Sequence, residues 1–258
     1  MKVNFKNLYR TNLRTKLIAF LGLAFLITIS FINSGGSGGL PQGDPDNGGL
    51  ALPGDFEAVV VADSLGRARH LAVNKNGDIY VKLRVPDAQQ RGSVALRDNN
   101  NDGKADIIEY FGSYPDTGNY GTAMRIHKGY LYFSTAGEVL RTKLTPGKLV
   151  PEGKTETIVV DNYKRGKYSH IAKPIAFDNK GNMYVPFGSP SDVCQIADRQ
   201  PGSLGQTPCP ELKEHAGVWK FSENKLNQKQ SDGTMYARGI RSIVGMEWNK
   251  VDNSLYAM

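Results

Sequence analysis

Residues 98–109 read Asp-Asn-Asn-Asn-Asp-Gly-Lys-Ala-Asp-Ile-Ile-Glu. Their order is that of a loop that wraps one calcium ion. Oxygen ligands fall at positions one, three and five (Asp98, Asn100, Asp102), glycine at six (Gly103), a backbone carbonyl at seven (Lys104), and carboxylates at nine and twelve (Asp106, Glu109). Ca²⁺ takes six to eight hard oxygens, and this spacing brings that many toward one point. The flanks at 94–97 and 107–111 read as strands, so no helix pair is present to open on binding and the expected role is structural. The competing reading is an Asn/Asp/Gly turn without metal.

Cys194 and Cys209 are the only cysteines, with fourteen residues between them in a segment that carries Pro201, Gly202, Gly205, Pro208 and Pro210. Neither CxxC spacing nor an adjacent His pair favours a redox or metal role. The N-terminus points the same way. Lys2, Lys6, Arg10, Arg14 and Lys16 run straight into an apolar stretch at 17–32, the layout of an export signal and short of the roughly 20 residues of a comfortable membrane span. In an exported chain, two cysteines in a turn-rich loop read as a disulfide, worth about 3 kcal/mol for a loop of this size. Residues 1–34 are therefore expected to be a signal peptide or N-terminal anchor. A Gly/Pro/Asp-rich linker follows at 35–54, and the folded part at 55–258. The expected location is periplasmic or extracellular, with any membrane contact made only through the N-terminal segment.

Those five basic residues carry most of the charge imbalance. Removing them from the formal +7 leaves +2, too little for a phosphate-binding surface, and no basic stripe is interleaved with aromatics; nucleic-acid binding is not expected. With 40% hydrophobic and 22% charged residues the chain is of ordinary globular type. Its 29 glycines in 258 residues, about 11% against the usual 7% or so, imply many tight turns and hence many short strands.

The elements that must position these groups come from a repeat. Leu71-Ala-Val-Asn-Lys-Asn-Gly-Asp-Ile-Tyr80 returns as Ile175-Ala-Phe-Asp-Asn-Lys-Gly-Asn-Met-Tyr184, with shorter cousins at 125–132 and 246–256. Each is an apolar strand, a turn of Asn, Asp, Lys or Gly, and a second strand ending in Tyr, which is hairpin chemistry. Tyr80, Tyr132 and Tyr184 are spaced by 52 residues, and Tyr256 follows after 72, the excess holding the cysteine loop. A unit of about 50 residues made of four short strands is the signature of a β-propeller blade, and outer strands are expected at 93–96, 107–111, 139–144, 155–160 and 217–221. No helical period competes. The expected fold is all-β, an incomplete propeller ring of about three and a half blades.

From Asp55 onward several separated motifs accumulate: Ala68-Arg-His-Leu-Ala-Val73, Val94-Ala-Leu-Arg-Asp98, Lys128-Gly-Tyr-Leu-Tyr-Phe-Ser134, Ile175-Ala-Phe-Asp178, the cysteine loop with Pro201-Gly202, and Gly239-Ile-Arg241. Over about 200 residues the chain resembles the sorbosone dehydrogenase-like branch of the pyrroloquinoline quinone (PQQ)-dependent sugar dehydrogenases. The resemblance implies a six-bladed propeller with PQQ over its axial channel and a calcium ion beside it. It implies oxidation of an aldose or sorbosone-like sugar by hydride transfer to the quinone, with an external quinone or cytochrome as electron acceptor.

By that resemblance His170 matches the general base and Arg241 the cofactor-facing arginine. Both lie four residues ahead of the position that opens an inner strand, Pro174 and Gly245. The chemistry suits the residue types: imidazole is a base near neutral pH, and guanidinium is an always-charged donor to quinone and carboxylate oxygens. Ser242 stands where the family commonly has Asn, and Lys173, which shares its place in the repeat with Arg69, is taken as a further contact to an anionic ligand. The remaining PQQ and cofactor-calcium contacts are expected beyond Met258, so these residues alone should hold PQQ weakly. His70 is placed either at the channel or in a structural hydrogen bond, His127 and His215 in solvent, and Trp219 and Trp248 in the core. The alternatives are a calcium-dependent propeller lactonase or other hydrolase, disfavoured because no carboxylate precedes the strands at Leu71, Arg125 or Ile175, and a non-catalytic binding propeller.

Overall fold

The computed structural model describes residues 40–113, 123–161 and 170–258. The expected export signal lies outside them; among the described residues no helix is long and apolar enough to cross a membrane. Strands dominate, and the only helical pieces described are single 3₁₀ turns at Asn47–Gly49, Pro210–Lys213 and Gln230–Asp232.

Three successive antiparallel units follow one another along the chain. The first is β1 (Ala68–Val73), β2 (Ile79–Leu83), β3 (Arg91–Arg97) and β4 (Ile107–Ser113), and the second is β5 (Met124–His127), β6 (Tyr130–Ser134), β7 (Glu138–Lys143) and β8 (Glu156–Val160). The third uses β9 (Ala176–Phe177), β10 (Asn182–Phe187) and β11 (Gly217–Ser222). Next in the chain comes β12 (Gln228–Lys229), which leaves its own unit to pair in parallel with β8, and β13 (Thr234–Arg238) then completes the third sheet. A hairpin of β14 (Met246–Asn249) and β15 (Ser254–Ala257) ends the chain.

Turn chemistry sets these hairpins. Gly77 and Gly181 take φ of 92° and 86° at equivalent places, a conformation that costs glycine nothing. The acidic residue swaps ends between the two turns. Asp78 receives a bidentate Arg97 at 2.7 and 2.8 Å, whereas Asp178 accepts from the Asn182 side chain at 2.7 Å and from the Tyr184 hydroxyl at 3.0 Å.

Strand alternation then decides the packing. On β10, Met183, Val185 and Phe187 face the second sheet with Tyr132, Ile158 and Val159, while Tyr184 faces the opposite way onto Met246 and Trp248. On β2, Tyr80 packs toward Met124 and Leu131 of the second sheet, and Val81 toward Val94 on its other face. Each sheet is thus buried between its neighbours in chain order, with about 1.5–3 kcal/mol for each large apolar side chain enclosed. First strands meet as well, β1 beside β5 and β9 beside β14. The result is an all-β, propeller-like arrangement.

All five expected outer strands are present within two residues at each end. β12 and β13 carry no alternating apolar pattern and were not anticipated. The segment expected as a linker is tied to the domain from Gly43 on: Asp44 accepts from the Val60 amide at 2.7 Å and from the Lys104 ammonium at 2.6 Å. His127 and His215 differ from expectation too. His127 stacks on Phe177, ring centroids 4.0 Å apart, and pairs with buried Glu223 at 2.7 Å; His215 is buried. Short-range polarity places both in solvent, whereas the partners of His127, Phe177 and Glu223, come from distant parts of the chain.

Candidate active site

The chain enters β9 through residues 170–175 and leaves β10 through Gly188 and Ser189, so the two segments run side by side. Their approach depends on Gly188. A Cβ there would stand 1.9 Å from the His170 carbonyl oxygen and 2.7 Å from its Cβ, which no side chain tolerates. Ser189 follows, and its carbonyl lies 2.9 Å from His170 Nδ1. A carbonyl only accepts, so Nδ1 carries the proton, and in the neutral ring Nε2 keeps the lone pair. The imidazole, half-buried, is therefore fixed in the tautomer a base at Nε2 requires.

Arg241 arrives from the loop after β13. After β13, Gly239 at φ 85° turns the chain, and the Gly239 and Ile240 amides both donate to the Ala216 carbonyl, at 2.7 and 2.9 Å. The Arg241 carbonyl then accepts the Ser189 N–H at 2.8 Å. One residue, Ser189, thus links the two segments that the sequence repeat singled out. The Arg241 guanidinium is 55% exposed, and its Nη1 donates to Asp192 at 2.8 Å, an oxygen that also faces Arg199 at 3.4 Å. Ser242 follows in the same loop, half-buried.

Behind this pair stands the cysteine loop. Cys194 and Cys209 form the expected disulfide, with Cα atoms 6.1 Å apart. Glu211, two residues after Cys209, accepts from Ser189 Oγ at 2.6 Å, and the same hydroxyl is 2.6 Å from the Ser191 carbonyl. Among the described residues, Cys194, Cys209 and Glu211 are the only three His, Cys, Asp or Glu residues whose ligand atoms converge. With both sulfurs in a disulfide, they are not a metal site. Ser189, Asp192 and Glu211 carry no spacing signal in the sequence; they were missed because only the fold brings 170, 189, 211 and 241 together.

A second polar constellation was missed in part. Inner strands β1, β5 and β14 border a cavity of about 400 Å³ lined by His70, Met124, Arg125 and Glu247 among others. Arg125 Nη1 pairs with Glu247 at 2.5 Å and Nη2 donates to the Met246 carbonyl at 2.5 Å. Burial pushes the His70 pKa below its usual value, the Arg125 and Arg69 charges add to this, and a bond from Nδ1 to the Leu71 carbonyl at 3.2 Å opposes it. His70 is thus at the cavity and also hydrogen-bonded, the two placements considered for it.

No protein-family model matches the chain, and no curated protein matches it significantly. Solved structures do. The PQQ domain of a pyranose dehydrogenase from Coprinopsis cinerea superposes with a TM-score of 0.58 at 13% identity, over 76% of this chain and 44% of that one. A calcium structure of a Trichoderma reesei carbohydrate-active enzyme of family AA12 gives 0.58 at 13%, over 77% and 47%. The fold is that of a PQQ sugar dehydrogenase domain. The chain spans less than half the length of either structure.

Within this sugar dehydrogenase-like fold Lys173 is placed inside. It is 2% exposed, its ammonium is paired with Asp161, and it lies 5.1 Å from the centroid of the Phe187 ring. A buried ammonium needs a carboxylate, and Asp161 supplies one. The loop at 98–109 makes the expected turn, with Gly103 at φ 86° and Asp98 accepting the Asn101 and Gly103 amides at 2.6 and 2.8 Å. Asp106 ties the second half to the first by accepting the Asn99 amide at 2.6 Å, while Glu109 is exposed on β4. As placed, its carboxylates serve the loop's own amides and do not form a gathered oxygen cage.

Proposed function

We propose that this chain is part of a six-bladed quinoprotein that oxidises an aldose or sorbosone-like sugar, with His170 as general base. Its three successive sheets, the second widened to five strands by β12, and its final hairpin are read as three and a half blades. The observation that carries the reading is the Ser189 link: its carbonyl holds an imidazole with the lone pair at Nε2, and its amide holds the main chain of the neighbouring strand entry at Arg241, whose guanidinium is braced by Asp192.

This donor set suits an anionic quinone. Arg241 offers an exposed, always-charged fork, kept in place by Asp192, and Ser242 adds a hydroxyl. PQQ, when bound, supplies the quinone that receives hydride. His170 Nε2 would accept the proton of the substrate hydroxyl, and the charge that develops on the ring is shared through Nδ1–H with the Ser189 carbonyl. Lys173 supports this site from within, as the counter-ion of Asp161. The loop at 98–109 is read as a structural calcium site, a reading supported by the order of its ligands and by its turn. Export fits the disulfide, and the acceptor of the electrons is taken to be an external quinone or cytochrome.

The test is to reconstitute the full-length protein with PQQ and Ca²⁺ and follow dye reduction with a panel of aldoses. Reduction that falls about 10²- to 10⁴-fold in His170→Ala supports the reading. No reduction with any sugar, or activity indifferent to that substitution, overturns it.

A further inference from the structure

Ser189 does not stand alone. Its main chain engages His170 and Arg241, while its hydroxyl oxygen lies 2.6 Å from both Glu211 and the Ser191 carbonyl, and its single proton goes to the stronger acceptor, the Glu211 carboxylate. Ser189 is only 4% exposed, and Glu211 is the second residue of the 3₁₀ turn Pro210–Lys213, which starts directly after the half-cystine Cys209. At the other end of the disulfide the Cys194 amide donates to Ser191 Oγ at 2.9 Å. Both acceptors beside the serine hydroxyl are therefore attached to the same covalent bridge.

The consequence follows from geometry. If the serine side chain were released, the 189 peptide unit could rotate, and a rotation that turns its carbonyl away removes the one acceptor that keeps the proton on His170 Nδ1. A carboxylate is the strongest neutral-pH acceptor for a hydroxyl, and a partner one bond removed from the reacting group commonly sets its tautomer and orientation. Building on the base assignment above, we propose that Glu211 is a positioning residue: acting through Ser189, it fixes the tautomer of His170. It touches neither substrate nor reacting atoms.

The decisive measurement does not require turnover. In ¹⁵N-labelled protein, long-range ¹H–¹⁵N spectra of His170 report which ring nitrogen is protonated. The native chain and Glu211→Gln, whose amide oxygen still accepts, are expected to show the Nδ1–H form dominant. Glu211→Ala and Ser189→Ala are expected to show mixed tautomers, with the rest of the amide fingerprint unchanged. In the full-length enzyme the same Ala variants should lower kcat about tenfold or more with KM within twofold, and Glu211→Gln should restore most of it. A His170 spectrum that stays native in both Ala variants overturns the proposal. If one Ala variant does not fold, the other decides. A tautomer that responds as described in a protein that oxidises no sugar leaves the positioning role standing and removes only the oxidoreductase reading.

Discussion

His170 and Arg241, seventy-one positions apart, are hydrogen-bonded to the two ends of one residue: the Ser189 carbonyl faces His170 Nδ1 at 2.9 Å, and its amide donates to the Arg241 carbonyl at 2.8 Å. Neither contact uses the serine side chain, so the link tolerates sequence change at 189 only while the backbone path is kept. That path is guarded by the residue before it.

Gly188→Ala is expected to destabilise the protein by about 1–3 kcal/mol, because the added methyl overlaps the His170 carbonyl and either segment must move. Urea denaturation of the two proteins checks this. A midpoint within error of the native one would show that the strands part more easily than their contact implies.

Glu223 links two sheets through His127 and Lys128 and is 1% exposed. Burial by itself pushes its carboxyl up, but the bonds from Lys128 and His127 outweigh this and leave it below the ordinary value of 4.5. Because the folded value is the lower one, the stabilisation is complete above the unfolded pKa and disappears as pH falls through the folded value. Glu223→Gln should therefore flatten the acid side of the stability profile below about pH 4.5, and Glu223→Ala should cost about 1–3 kcal/mol at pH 7 by removing the buried acceptor that His127 and Lys128 share. Thermal melts between pH 3 and 7 read both; parallel profiles for native and Gln proteins would contradict the assignment.

Reduction of Cys194–Cys209, or Cys194→Ser, is expected to remove about 3 kcal/mol for a separation of 15 residues. It should also loosen Asp192 and Glu211, which flank the bridge. Melting with and without a phosphine reductant measures the first effect, and an unchanged midpoint would argue that the loop is held by its other hydrogen bonds.

Calcium at 98–109 would require Asp98, Asn100, Asp102 and Asp106 to exchange amide partners for the ion. If it does, millimolar Ca²⁺ raises the melting temperature, with about 2.7 kcal/mol at a hundredfold excess over Kd, and Asp98→Asn abolishes the rise. No shift in the native protein would reduce this loop to a plain turn.

Much of the architecture was legible in one dimension because its causes are local. The Asn/Asp/Gly turns, the alternation on β2 and β10, and the recurring Tyr80, Tyr132 and Tyr184 together define hairpins and their period, and all three tyrosines are buried. β13 was not legible, since Thr234, Met235 and Tyr236 are exposed and its place is set by pairing with β11. Neither were the surroundings of His127 and Lys173, whose carboxylate partners Glu223 and Asp161 come from other parts of the chain.

The amino-acid order alone determined the strand units, the cysteine pair and the types of group fit for proton and anion chemistry, because turn preference, side-chain period and titration behaviour are properties of short segments. Only the tertiary structure decided which nitrogen of His170 holds the proton, that Arg241 is braced by Asp192, and that Lys173 points to a buried partner. Those outcomes depend on separations of 2–3 Å between residues tens of positions apart, and only the closed packing of sheet against sheet sets such distances.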